Sequence, residues 1–312
     1  MTDRPIRLGT RRSALALAQS RSVADAITTS TGRLVELVEI TTYGDRSSEA
    51  LATIGGTGVF VSALRDALLD GDIDLAVHSY KDLPTKPADG LVVAAVPVRE
   101  DARDVLVARN NWTLADLAPG SRIGTGSPRR MAQLRALGYG LDVEPIRGNV
   151  DTRLRKVAEG EVDAVVLAYA GLSRLGRLGE VTEVLDPLQM LPAPAQGALA
   201  VECRLEDPVT IDLLSDLDDT PSRAAVTAER ALLAALEAGC SAPVGALAEI
   251  AEGDDESAPE IYLRGVVVSV DGSTSVRLST TGSLGDAEVI GRRLAADLLA
   301  EGASDVMGER VP

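Results

Sequence analysis

Two stretches of this chain copy one another, and that repeat limits the possible folds more than any other feature. GDIDLAVHSYKDL at 71–83 aligns with GEVDAVVLAYAGL at 160–172, matching Gly71 with Gly160, Asp74 with Asp163, Val77 with Val166, Tyr80 with Tyr169 and Leu83 with Leu172. Upstream of each, Arg7-Leu8-Gly9-Thr10 recurs as Arg122-Ile123-Gly124-Thr125, followed in both copies by a serine and arginines at the start of a helix. Each repeat holds a short branched apolar run behind an acidic turn, the pattern of a buried parallel strand. Matched βα units in the same order predict two similarly built α/β domains facing one another.

In open α/β sheets, ligands bind at the carboxyl ends of the strands. In the first copy, His78, Ser79, Tyr80, Lys81 and Asp82 crowd that end before Leu83-Pro84 closes the segment. The same residues also read as a polar loop carrying a surface Lys–Asp pair. In the second copy, Thr125-Gly126-Ser127-Pro128-Arg129-Arg130 puts Pro128 at the first helical position, Ser127 at the cap and two arginines in the first turn. The helix dipole disfavours cations there, so these arginines need another reason, and carboxylates or phosphates supply one. Arg147-Gly148-Asn149-Val150-Asp151-Thr152-Arg153 repeats the device after the next strand, and Arg174 follows the strand 164–167. A lone surface arginine contributes little. Several converging on one sheet edge form an anion site.

Taken in order, strands are expected at 6–9, 35–41, 73–77 and 91–96, with a Gly-rich loop at 55–58 opening a helix at 59–69. Val96-Pro97-Val98 reads as an outward crossing to the second domain. PAPAQG at 192–197 reads as a hinge returning the chain, and 198–202 as a strand rejoining the first. A helix is expected over 222–238, stopped by Gly239 and followed directly by Cys240. Strands near 244–250, 261–270 and 275–280 and a helix from 286 to about 299 then make a small α+β domain, with the acidic stretch 252–256 as a solvated hairpin loop. The expected division is 1–96 with 197–217, then 97–196, then 218–312.

Only 2% of residues are aromatic against 45% hydrophobic, so the cores must be aliphatic. A net charge of -16 argues against a nucleic-acid partner, which needs a basic face. Anionic small molecules remain open, because local fields outweigh the total. No run approaches the ~18 apolar residues needed to cross a bilayer, and no signal segment is seen, so a soluble cytoplasmic protein is expected. Two cysteines, Cys203 and Cys240, do not suggest a disulfide framework, and one histidine without CxxC or HExxH spacing argues against a metal site. Cys203, on an apparent strand, reads as core. His78 reads as a structural histidine, and Cys240 reads as either an inert or a reactive thiol.

The combination GTRRSALALAQ, GGTGVF, AVHSYKDLP, GTGSPRR, RGNVDTRL, AYAGLSRLG, PAPAQGALAVECR and LEAGCSAPVG resembles the porphobilinogen deaminase (hydroxymethylbilane synthase) family over essentially the whole chain. The resemblance implies two domains similar to periplasmic binding proteins with a hinge, plus a small C-terminal domain, in a monomer. It implies a dipyrromethane cofactor made from substrate and held by a thioether at Cys240. It also implies condensation of four porphobilinogen molecules head to tail with loss of ammonia, giving hydroxymethylbilane for the next tetrapyrrole enzyme.

Carried over by that resemblance, Asp82 is the catalytic carboxylate. It helps protonate the departing amine, stabilises positive charge as the methylene-pyrrolenine forms, and assists loss of the ring proton after coupling. Lys81, Ser127, Arg129, Arg130, Arg147 and Arg153 resemble residues that hold the cofactor's acetates and propionates. Arg11, Ser13 and Arg174 resemble those that hold substrate carboxylates, with Ser79, Thr125 and Gln196 nearby. Some members carry lysines where this chain has Thr53 and Thr57, so its loop grips the growing chain less electrostatically, although Phe60 and the flanking glycines keep the motif's shape. Gly126 likewise stands where a serine occurs in others. A non-catalytic clamshell that binds an anionic small molecule explains the repeats and arginines but not Cys240. A Cys–His hydrolase using Cys240 and His78 is a second alternative, favoured by ready alkylation of Cys240 and opposed by a blocked sulfur.

Overall fold

The computed structural model describes residues 4–40, 58–237, 242–251 and 258–307 of a mixed α/β protein. It divides into two compact units, Met1–Glu100 with Ala198–Arg223, and Asp101–Gly197 with Ala224–Pro312. The Gly-rich loop with Thr53 and Thr57, the acidic stretch 252–256, Gly239 and Cys240 lie outside the described residues.

The first unit is built on strands β1 (Ile6–Thr10), β2 (Val35–Glu39), β3 (Leu75–Ser79) and β4 (Leu91–Ala95), together with a later strand, β10 (Leu199–Arg204). Their order is β2-β1-β3-β10-β4. β1 runs parallel to β2 and β3, while β10 inserts antiparallel between β3 and β4. Helix α1 (Ala14–Thr31) starts where Ser13 Oγ accepts from the Ala16 N–H at 3.2 Å, and stops at Gly32, whose φ is 69°. α1 covers one sheet face through Val23, Ile27, Leu75, Val77, Val201 and Cys203. Helix α2 (Gly58–Leu69) covers the other through Leu64, Leu68, Ile73 and Ala76. Apolar runs without alternation are what a sheet covered on both faces requires.

The second unit repeats the plan. Its strands are β5 (Asp104–Ala108), β6 (Arg122–Thr125), β7 (Asp142–Pro145), β8 (Ala164–Ala168) and β9 (Glu183–Val184). Their order is β7-β6-β8-β5-β9, with β6 parallel to β7 and β8, and β5 antiparallel to β8 and β9. Position for position this matches the first sheet, including the reversed fourth strand. Helices α3 (Pro128–Ala136), α4 (Val150–Ala158) and α5 (Tyr169–Arg174) follow β6, β7 and β8.

The matched Gly and Asp positions do the same work in both sheets. Asp74 Oδ2 accepts from the Arg7 backbone N–H at 3.0 Å, and Asp163 Oδ2 from that of Arg122 at 2.8 Å. Gly71 and Gly160 take left-handed turns, with φ of 77° and 76°, and their carbonyls accept from the same two arginine side chains. Because these bonds organise the approach to β3, the strand begins at Leu75 rather than Ile73. It extends to Ser79 because Leu199 and Ala200 of β10 pair with Ser79 and His78. His78 and Ser79 therefore belong to the strand and not to the loop beyond it.

Helices α6 (Pro208–Leu214) and α7 (Thr220–Ala235) precede the C-terminal sheet β11 (Val244–Ala251), β12 (Glu260–Val268) and β13 (Ser275–Ser283), which is antiparallel throughout. α7 ends at Ala235, short of the expected Ala238. The Glu237 N–H bonds back three residues to Ala234 and Glu237 itself takes a φ of 49°, so the chain leaves the helix before Gly239. α8 (Ala287–Ala300) and α9 (Ala303–Met307) complete the fold. One face of this sheet packs on α7 and α8 through Leu232, Ile261, Leu263, Ile290 and Leu294. The other meets the second sheet's layer through Leu247, Val266 and Val268 against Ala132 and Leu191, which joins both sheets in one unit. No helix among the described residues is long and apolar enough to cross a membrane.

Candidate active site

In the first unit, the predicted residues gather at the carboxyl edge of β1 and β3. Ser79 Oγ accepts from Gln19 Nε2 of α1 at 2.9 Å. Beyond it a single helical turn, Tyr80–Asp82, is pinned at both ends: the Tyr80 N–H donates to the Ala198 carbonyl at 3.0 Å, and Leu83 is buried against Val61 and Ala200. Between these anchors Lys81 is half-buried and Asp82 is exposed, with no hydrogen bond or ion pair from Asp82 to another described residue. Arg11 and Ser13 lie on the turn from β1 into α1, at the same edge.

Beneath that turn sits a buried charge group absent from the motif reading. Glu202 on β10 takes a fork from Arg65 of α2, at 3.0 Å from Nε and 2.8 Å from Nη2, and His78 Nε2 lies 3.3 Å from Glu202 Oε2. Burial opposes the charge on Glu202, but the His78 and Arg65 contacts outweigh it and hold its carboxyl below the usual range. His78 is thus tied into the sheet, as a structural histidine. Cys203, also on β10, is fully buried, and burial pushes its thiol up to about 11, which makes it inert.

In the second unit, Thr125 ends β6 fully buried, and its Oγ1 accepts from the Ser127 N–H at 3.2 Å. Ser127 caps α3, with its Oγ 3.4 Å from the Arg130 nitrogen, and Pro128 takes the first helical position as expected. The paired arginines are buried, and their reason for sitting in a first turn is internal: Asp104, fully buried at the start of β5. Arg130 reaches Asp104 Oδ1 from Nε and Nη2, and Arg129 Nη1 reaches Oδ2 at 2.8 Å. Burial works against a charged Asp104, but the two guanidinium groups override it and keep its carboxyl far below its ordinary range. Gln196 completes the group, donating from Nε2 to Asp104 Oδ1 at 2.9 Å. Sequence reasoning missed Asp104. The one local hint is a carboxylate heading the apolar run DVLVA.

Arg153 and Arg147 keep more of their donors. Half-buried Arg153 gives one bond, from Nε to the Gly148 carbonyl at 2.9 Å, and has no carboxylate partner among the described residues. Burial and the nearby Arg130 both push its guanidinium down. Arg147 is exposed on the same loop, and Arg174 Nη2 donates to the Gly197 carbonyl at 2.5 Å. Arg129 Nε is buried without a partner. Donors left over on Arg129, Arg147 and Arg153 around a capped helix N-terminus fit a ligand bearing several carboxylates. The cofactor implied by the sequence has that chemistry.

Residues 6–212 match the family model described as porphobilinogen deaminase, dipyromethane cofactor binding domain, and residues 223–300 match the porphobilinogen deaminase C-terminal domain. Porphobilinogen deaminase 1 of Streptomyces coelicolor is 62% identical over 318 residues, covering 99% of each chain. Porphobilinogen deaminase of Nocardia farcinica is 57% identical over 311 residues, covering 99% of this chain and 89% of the relative. Among solved structures, the methionine binding protein MetQ is similar with a TM-score of 0.45 and 13% identity, covering 69% of this chain and 90% of that one. The chain belongs to the porphobilinogen deaminase family.

Proposed function

We propose that this chain condenses four porphobilinogen molecules head to tail, releasing ammonia at each step, and yields hydroxymethylbilane. It is a transferase of tetrapyrrole biosynthesis. The observation that carries this reading is the family match over both 6–212 and 223–300, which leaves no long stretch to a different activity. The non-catalytic clamshell is not favoured, because relatives 56–62% identical over nearly the full chain are named as deaminases.

The chain's own residues suit the work. Dipyrromethane, when bound, would supply the free nucleophilic pyrrole carbon that primes the growing chain. In our reading Cys240 anchors it, and Lys81, Ser127, Arg147 and Arg153 hold its carboxylates together with the unspent donor of Arg129. Arg130, which also pairs with Asp104 and keeps α3 in place, belongs to the same carboxylate-holding group. Arg11, Ser13 and Arg174 take substrate carboxylates, with Ser79, Thr125 and Gln196 supporting them. Asp82 carries the proton work: it delivers a proton to the leaving amine and accepts one after coupling, its turn being anchored so that the same carboxylate serves each cycle. We further read the protein as a cytoplasmic monomer whose product passes to the next tetrapyrrole enzyme, and its three sheets as three domains.

The test is the intact mass of the denatured protein, with peptide mapping around Cys240. An excess of two linked pyrrole units on that cysteine supports the reading. An unmodified chain that gains no adduct and consumes no porphobilinogen on incubation overturns it.

A further inference from the structure

Glu229 on α7 is a carboxylate with no exposed surface, and the reaction does not call on it. Its Oε2 accepts from the Ala195 N–H at 2.5 Å and its Oε1 from the Ala248 N–H of β11 at 2.7 Å. Ala195 is itself fully buried and left-handed, with a φ of 62°. A residue with a Cβ holds that conformation only where its surroundings enforce it. A charge-assisted hydrogen bond donated by its N–H to a buried carboxylate is such an enforcement.

The next two residues bear directly on the arginines. Gln196, 1% exposed, donates to the Ala102 carbonyl at 2.7 Å and to Asp104 at 2.9 Å, and its Oε1 lies 3.4 Å from Arg130 Nη2. The Gly197 carbonyl takes the bond from Arg174. Three consecutive residues thus tie Glu229 to Arg130 and Arg174, and the strained one is the one that Glu229 grips. We infer that Glu229 is a positioning residue: it locks the left-handed kink at Ala195, and the kink sets Gln196 and Gly197 so that the arginines of this edge stand in register for carboxylates. The inference rests on the function proposed above.

Glycine adopts the left-handed conformation without strain, which makes a rescue experiment possible. Glu229→Gln keeps the size but turns an NH2 towards one of the two N–H donors. It is compared, with and without Ala195→Gly, by kcat and KM for porphobilinogen and by the rate at which cofactor-free protein gains the mass of two pyrrole units. A lost alignment of this kind is expected to lower kcat/KM about tenfold or more, mainly through KM, and to slow the mass gain similarly. Adding Ala195→Gly should bring both back to within about threefold of the Ala195→Gly single variant. A loss that the second substitution does not restore overturns the inference, as does a Glu229→Gln protein indistinguishable from wild type. If Glu229→Gln folds only together with Ala195→Gly, the double variant's kcat/KM against the Ala195→Gly single variant decides on the same criterion. If neither folds, Glu229 is a general core requirement and the inference fails. A wild-type protein that does not consume porphobilinogen sinks the functional reading instead.

Discussion

Arg130 grips Asp104 with two donors, Nε at 3.0 Å and Nη2 at 2.7 Å, inside a layer where both side chains are out of water. Removing one partner of such a buried pair strands the other's charge. Asp104→Ala, which leaves both Arg129 and Arg130 without their carboxylate partner, is expected to cost about 3–5 kcal/mol in urea unfolding. A cost under about 1 kcal/mol would mean that the arginines find other partners at no loss.

Asp74 predicts an acid limb. Burial alone would raise its carboxyl, but Arg7 and Arg4 more than offset this and bring it from 3.8 down to about 2. A folded value below the unfolded one stabilises fully above about pH 4 and is lost as pH falls through about 2, for a contribution of about 2 kcal/mol. The stability gap between wild type and Asp74→Asn should therefore shrink between about pH 5 and pH 2. A gap that stays constant across that range contradicts the linkage.

Asp82 is exposed and touches no other described residue through a hydrogen bond or ion pair, so Asp82→Asn should leave the melting temperature unchanged. Turnover of porphobilinogen should fall by roughly 10²–10⁴, the usual worth of a positioned proton donor. Near-normal kcat in a folded variant removes Asp82 from the chemistry.

The two thiols should separate cleanly. Cys203, fully buried with its thiol raised to about 11, should resist iodoacetamide in the native protein and react only after unfolding. Cys240→Ala should carry no covalent pyrrole by intact mass, before or after incubation with porphobilinogen. Pyrrole mass on that variant would put the anchor elsewhere.

The sequence by itself determined the two βα layouts, because their signals are local. Gly71 and Gly160 turn the chain, Asp74 and Asp163 bind the strand beside them, and Ser13 and Ser127 cap the helices that follow. Ser79, Lys81 and Asp82 at the edge of one sheet, and Thr125, Arg147 and Arg153 at the edge of the other, follow from those layouts. What the arginines of α3 rest on is another matter. Asp104 lies 26 residues before Arg130, and Gln196 lies 66 after it. They meet because β5 enters the second sheet reversed, which brings its first residue to the carboxyl end of β8. Glu202 meets His78 because β10 returns antiparallel to β3, and Glu229 meets Ala195 across layers of the second unit. Buried carboxylates find partners through strand order and direction. Those are properties of the assembled sheet, with no period or spacing along the chain, so only the tertiary structure could assign them.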